Sequence, residues 1–550
     1  MGNYLPITYF SKVINMYIQP STNIRLLKGV NLDNSYEHTI YFADEVSQRN
    51  YFISKTKHNL TAQTFQRTGR NTARLQLNIG DCYDCNYMMF QNSAFSSKWF
   101  YAFVTSVEYI NNEVTEITFE IDVMQTWLFN YALGHCYIER QHTTTDVIGG
   151  NIVPEPVALG EYVFNSYNEL TYPNAPNNAL LHTLAVIIAI VDVRATASDG
   201  NVYDGVYGAA ELWAFDINDV TGINAKVTQY INSPDSILSM YMLPKCCVLD
   251  TIPSSGGVKL TRHTGGATLK HTATMLTSNV TLDGHLPRNR KLYTYPYNYY
   301  HVDNANGQAL TLRYEFFDNL QPIMLLKSTI TQPVQVVLRP EGYKNVGGYD
   351  SISGDTALNS ESIELNGYPL CSWNVDAYKA WLAQNSIPIA LNTLSSMGQM
   401  GIAATYSTNP IGMVTGGVIG QVSNILSQAY TASIAADVVK GSQNNGGVNC
   451  AAGLQTFFGG RVSITGDIAS RIDDFFDYFG YQINELAVPN RNARRYWTYL
   501  KTATCVIIED IPGGGVPNDD MKRITDIYNK GITWWNNGDN VGNYSLDNRV

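Results

Sequence analysis

The sequence predicts a mainly β protein of several domains with a few helices, interrupted by a Gly/Ala-rich uncharged loop or helix insert. Three observations carry this. Charged residues make up 15% of the chain, against about 25% in ordinary soluble domains. The 37 Tyr among 12% aromatic residues suit pleated, half-buried surfaces. Residues 380–436 contain no Asp, Glu, Lys, Arg or His. The aromatic content excludes a disordered chain, and a length of 550 residues holds about three or four domains.

The first 150 residues read as strands, with no helix expected. Trp99 to Val104 is an apolar run suited to a strand buried on both faces. Val107–Ile110, Asn111-Asn112 and Val114–Ile121 read as a hairpin, its second arm alternating apolar with polar. The turn-rich stretch Asn151–Pro156 marks a boundary. Beyond it, Leu181 to Val191 is too short and too β-branched for a membrane span and reads as a buried strand. Gly256 to Tyr300 carries further short strands and ends in the Tyr-rich Tyr293–Tyr300. Such rings either bind sugars and stack on partners, or cover a sheet.

At 15% charge, a stretch as long as 380–436 would carry about eight or nine charged residues. Ser, Thr, Asn, Gln and Gly dilute it throughout, and no run of about 20 apolar residues makes it a constitutive span. Its second half reads as a helix, with Asn409 as N-cap, Pro410 at the first position and Lys440-Gly441 at the end. Ile411, Val414, Val418, Val422 and Ile425 follow one face at spacings of three and four and are expected to meet lipid. Gly412, Gly416 and Gly420 stand four apart, the spacing that lets helix backbones approach closely in a bilayer. Each interior glycine costs about 1 kcal/mol in an isolated helix, so this helix needs partners. Conditional membrane insertion is one reading; burial inside an oligomer is the other.

Towards the C-terminus, Ser470 reads as the cap of a short helix through Asp473–Phe479, and Asn518-Asp519-Asp520 opens a helix over Met521–Lys530 closed by Gly531. Tyr496–Lys501 and Cys505–Ile508 read as paired strands. The domain expectation is 1–150, an N-terminal β domain; 151–370, a β-rich middle; 371–460, the uncharged insert; and 461–550, an α+β segment completing the first domain.

The net charge of −11 argues against a dedicated nucleic-acid grip, which needs clustered Lys and Arg. The opening Met1–Pro6 has no basic stretch before an apolar run and no Ser or Thr at position 6. The expectation is synthesis in a cytoplasm without Sec export or myristoylation. Eight scattered Cys are too few for a disulfide scaffold. Cys82-x-x-Cys85 is either half a zinc site, with His135, Cys136 and His142 nearest, or two free thiols. Arg491, Arg494 and Arg495 either touch phosphate or form salt bridges. Asp473-Asp474 and Asp519-Asp520 read as helix-start acids. No P-loop, His-Glu-x-x-His, Gly-x-Ser-x-Gly or complete dinucleotide fingerprint occurs, and no catalytic residue, metal or cofactor is expected.

Two N-terminal blocks, Met88 to Thr105 (MMFQNSAFSSKWFYAFVT) and Phe119 to Trp127 (FEIDVMQTW), resemble the tail-knob proteins of small short-tailed phages of Gram-positive bacteria. Phe479–Asn484, Gly531–Trp535 and Gly542–Ser545 are similar to the same family. In the middle, about 155 to 370, no motif of the family is recognisable, and divergence is expected there. The resemblance implies a β-barrel tail tube at the virion tail tip, built as a homohexamer beside other phage tail proteins. It implies hydrophobic loops that plug the lumen and later form a pore in the host cytoplasmic membrane, while DNA passes without specific binding. Residues 380–436 occupy the corresponding place. A receptor-binding adhesin acting through the Tyr-rich middle and a tail-associated wall hydrolase are the alternatives.

Overall fold

A computed structural model describes residues 22–63, 71–93, 98–170, 184–191, 202–203, 206–207, 211–230, 236–249, 251–261, 266–270, 275–304, 308–330, 335–343, 364–365, 372–374, 457–509 and 515–550. The fold is mostly strand with a minority of helix. The chain divides into two compact units, Met1–Val157 with Arg471–Val550, and Ala158–Ser470.

In the first unit, the strand Trp99–Asn111 runs on as one 13-residue element where the sequence suggested two. It pairs with Val114–Ile121, and because Asn111 lies opposite Val114, the turn falls one residue later than expected. Among the described residues these two strands belong to a six-stranded antiparallel sheet. Its other members are Thr56–Gln63, Thr22–Leu27, Tyr87–Gln91 and Thr72–Leu75. A second sheet places Cys136–Gln141 between Tyr481–Ala487 and Trp497–Thr504, and continues through Ile532–Trp535 to a parallel His38–Ile40.

Two expectations fail here. The expected strand pair near the C-terminus is not formed, because Trp497–Thr504 pairs with Cys136–Gln141, whereas Ile507–Glu509 pairs with Tyr131–Leu133. The first 150 residues also contain a helix, Glu45–Ser54, capped by Asp44, whose carboxylate accepts from Ser47 N at 2.7 Å. Its sequence has little apolar periodicity. Tertiary contacts hold it instead, since the Phe52 ring lies 5.2 Å from Tyr87 and 4.7 Å from Tyr101.

The turn Val123–Thr126 joins the sheets. Asp122 caps it, accepting from Met124 N and Gln125 N at 3.0 and 3.1 Å and from Tyr87 Oη at 2.8 Å. Gln125 Nε2 donates to Thr39 Oγ1 and Ile40 O, Gln48 Nε2 donates to Gln125 O, and Thr126 Oγ1 donates to Tyr101 O. Trp127 Nε1 donates to Asp520 Oδ2 at 2.9 Å, at the start of the helix Asn518–Lys530. That helix begins three residues before Met521 and closes at Gly531, whose φ of +102° suits glycine.

In the second unit, Leu184–Ile190 is the central, buried strand of a sheet ordered Val258–Leu260, Glu211–Asp216, Leu184–Ile190, Ile237–Pro244 and Ser372–Asn374. This is the strand expected from Leu181–Val191. Another sheet sets Phe458–Ile464 between Asn298–Asp303 and the short strands Tyr162–Phe164 and Asn168–Glu169. The helix expected from Ser470 begins earlier, at Gly466. Its first N–H is taken by Asp283 Oδ2 at 3.0 Å, a cap supplied from 183 residues away. Asp473-Asp474 consequently lie mid-helix rather than at its start.

Burial raises the Asp122 carboxyl from 3.8 to about 6, although the backbone caps and Tyr87 work against the rise. Its contribution to stability is full below about pH 4 and is lost as pH climbs through about 6. Asp122→Asn keeps the cap oxygen and removes the buried charge. The variant should therefore gain on the wild type by about 3 kcal/mol between pH 4 and 7, read from urea unfolding at both pH values. A stability difference that does not move with pH would refute the buried-carboxylate reading.

Candidate functional site

Ile411, Val414, Val418, Val422 and Ile425, with Gly412, Gly416 and Gly420, lie outside the described residues, as does the helix expected over 409–440. Among the described residues no helix is long and apolar enough to cross a membrane. The flanking strands are described. On the entry side, Ser372–Asn374 is the outer strand of its sheet among the described residues, pairing with Ser239–Tyr241.

The return side is held on two edges. Phe458–Ile464 pairs along Asn298–Asp303 on one flank and Tyr162–Phe164 with Asn168–Glu169 on the other. Phe457 is fully buried, and its carbonyl accepts from Leu170 N at 2.9 Å. Asn165 N donates to Arg461 O at 2.8 Å, while Arg461 N donates to Ser166 Oγ at 3.1 Å. Two glycines make this approach possible. A Cβ at Gly459 would fall on Tyr300 Oη, and one at Gly460 on the Ser166 carbonyl.

Strand alternation sorts the Tyr-rich segment onto both sides of this sheet. Tyr293, Tyr297 and Tyr300 are buried, with Val302. Tyr299, His301 and Asp303 take the opposite face, where they meet Tyr162 and Phe164 from the strand on the far side of Phe458–Ile464, and Tyr167. Ring centroids stand 5.5 Å apart for Tyr162 and Tyr299, 5.4 Å for Phe164 and His301, and 5.3 Å for Phe164 and Tyr167. Tyr167 also stacks on Phe458 at 5.3 Å. Tyr167 Oη donates to Asp303 Oδ2 at 2.8 Å, and His301 Nε2 lies 3.1 Å from the same oxygen. The Tyr-rich run thus fills the core with some of its rings and turns others outward. Tyr162, Phe164 and Tyr167 were missed, because they lie about 130 residues from their partners; the i, i+2 aromatic pair at Tyr162 and Phe164 was the available signal.

The remaining candidates all lie in the first unit. Cys82 and Cys85 pack with Ile24, Met88 and Ile117, whereas Cys136 belongs to another core cluster with Tyr131 and Trp534. Burial raises the Cys82 thiol and pushes Cys85 up to about 11. Among the described residues no group of three His, Cys, Asp or Glu is placed to hold a metal ion. His142 is buried, accepting from Tyr499 N at Nδ1, with Nε2 3.0 Å from Asp477 O. Arg491 lies over Trp534 and Tyr131, and Arg494 is buried; of the three arginines, Arg495 is exposed, beside the Tyr496 ring. Asp519 and Asp520 do stand in the first turn of their helix.

The family described as Bacillus phage phi29 tail knob protein gp9, C-terminal domain, matches residues 265–549, just over half of the chain. The chain belongs to the tail knob protein family. A second family, the N-terminus of caudoviral major tail proteins, matches residues 20–132 of this tail knob chain. It is 24% identical to tail knob protein gp9 of Bacillus phage PZA and 23% identical to that of Bacillus phage phi29. Each match covers 96% of this chain and 98% of the relative. The solved tail knob protein gp12 of bacteriophage C1 shares the fold, with a TM-score of 0.60 at 14% identity, over 96% of this chain and 99% of that one. The expected family and mainly β fold are both borne out.

Gly460→Ala should destabilise the tail knob chain by about 1–3 kcal/mol, because the Ser166 carbonyl is backbone and must shift to admit a methyl. An unchanged melting temperature by calorimetry would show that the return strand tolerates a side chain there.

Proposed function

We propose that this tail knob protein assembles as a homohexamer into a tube at the tail tip, joined to other phage tail proteins. Residues 380–436 plug the lumen before infection and insert transiently into the host cytoplasmic membrane during genome delivery. The observation that carries the reading is the absence of charge from 380–436 in a chain of this family. Each ionised side chain would cost about 2.5–3.5 kcal/mol at the centre of a bilayer helix, and this segment has none.

Its dimensions support the same reading. Thirty residues from 411 to 440, at about 1.5 Å each, span roughly 45 Å, more than the hydrocarbon core of about 30 Å. Ile411, Val414, Val418, Val422 and Ile425 face lipid, and Gly412, Gly416 and Gly420 sit at contacts between helices. Six copies present an apolar exterior around a polar interior, satisfying backbone groups within helices as a bilayer requires. The charge of −11 lets DNA pass along the wall without adhering. No catalytic group takes part.

Purified protein should have a mass of six chains in solution and release dye from liposomes once its inserts are exposed. Val418→Asp should abolish leakage and leave the mass unchanged. Equal leakage from variant and wild type would remove Val418 from the lipid-facing side.

A further inference from the structure

We propose that Cys136 and Cys505 are a disulfide site, closed by a low-molecular-weight disulfide once the chain leaves a reducing compartment. The proposal is independent of membrane insertion. It rests on the strand register of the first unit, where both thiols are free.

Position comes first. Tyr137 stands opposite Thr504 at the end of one ladder, and Gly134 N donates to Val506 O at 2.8 Å just before the next. Between these two points one strand has His135 and Cys136, and the other has Cys505 alone. Two residues facing one make a β-bulge, and this bulge makes Cys505 the cross-strand neighbour of Cys136. Of the bulged pair, His135 is exposed and Cys136 is buried, so the cysteine turns inward. Cys136 belongs to the core cluster of Tyr131 and Trp534, and half-buried Cys505 packs against the same cluster. The Cys505 thiol feels the neighbouring Cys136, and the Val506 N–H acts on the Cys136 sulfur. Opposed residues of an antiparallel pair carry Cβ atoms about 4.5–5.5 Å apart. A disulfide needs about 3.5–4.5 Å, so slight closing of the bulge brings the sulfurs into bonding range. Cys505 N is not tied to the facing strand, since it donates to Asn529 Oδ1 at 3.1 Å.

The chemistry is thiol–disulfide exchange. The thiolate of Cys505 attacks one sulfur of the reagent disulfide, forming a mixed disulfide and releasing one thiolate. The Cys136 thiolate then attacks Cys505 Sγ and displaces the second. Two protein thiols give up two protons and two electrons, and the reagent leaves as two thiols. Burial raises Cys136 and pushes Cys505 up to about 12, so few thiolates form near neutrality and exchange quickens as pH rises. The thiol buffers of a cytoplasm keep such a pair reduced.

Chain order gives the bond its effect. Cys136 lies in the 1–157 segment of the first unit and Cys505 in its 471–550 segment. The bond ties the two segments covalently and encloses all of 158–470 in one loop. Cross-links across long loops restrict the unfolded chain most.

The test incubates reduced full-length protein with oxidised glutathione at about pH 8.5, where thiolates are more abundant, without denaturant. The protein is then alkylated and digested, and its peptides are read by mass spectrometry. A peptide pair joined through Cys136 and Cys505 is expected. The melting temperature by calorimetry should rise by about 5 °C, and a reductant should return it to its starting value. Cys505→Ser, a near-isosteric change at a half-buried position, should fold as the wild type does and lose both the joined peptides and the shift. Absence of the joined peptides would overturn the proposal, as would glutathione retained on Cys505 without transfer to Cys136. A shift that survives in Cys505→Ser would assign the bond to other cysteines, and joined peptides that form only in urea would show that the folded register keeps the sulfurs apart; either result makes the proposal wrong.

Discussion

The first unit depends on one buried polar cluster, the turn from Asp122 to Trp127. Its side chains reach the Tyr87 strand, the Glu45–Ser54 helix, the His38–Ile40 strand and, through Trp127, the helix Asn518–Lys530. These partners come from both ends of the chain, so the unit cannot close without them. Each buried donor or acceptor left without its partner would cost about 1–3 kcal/mol. The cost explains why Asp, Gln and Thr occupy a turn that is otherwise sealed by apolar side chains. It also gives a physical reason for the FEIDVMQTW block to resemble its family.

Because the first unit is assembled from 1–157 and 471–550, the second lies in sequence between its halves, and the uncharged segment lies within the second. Both flanking strands of that segment are locked by backbone ladders: Ser372–Asn374 on one partner, Phe458–Ile464 on two flanks. Under the proposed function, this nesting separates two demands. Stability resides in the strands, and the capacity to change solvent resides in residues that carry no charge.

The relatives are only 23–24% identical yet match across nearly their whole length. Such divergence suits a protein whose positions answer mainly to burial, since cores tolerate substitutions that keep volume and pattern. Exposed positions are under no such rule.

Local physics was legible in the chain itself. Apolar runs and alternation marked the strands around Trp99, Val114 and Leu184, acids and a glycine bounded the helix ending at Lys530, and missing charge delimited 380–436. The sequence alone also carried the family resemblance. Only tertiary structure decided the rest. It showed that Asp283, not Ser470, starts the helix at Gly466, and that polar Glu45–Ser54 is helical because Phe52 lies against Tyr87 and Tyr101. It gave Trp497–Thr504 and Ile507–Glu509 separate partners, and it brought Tyr162, Phe164 and Tyr299 onto one face. Periodicity and capping are set by neighbours a few residues apart. Pairing, burial and distant caps join residues hundreds of positions apart, and no local pattern encodes which of them meet.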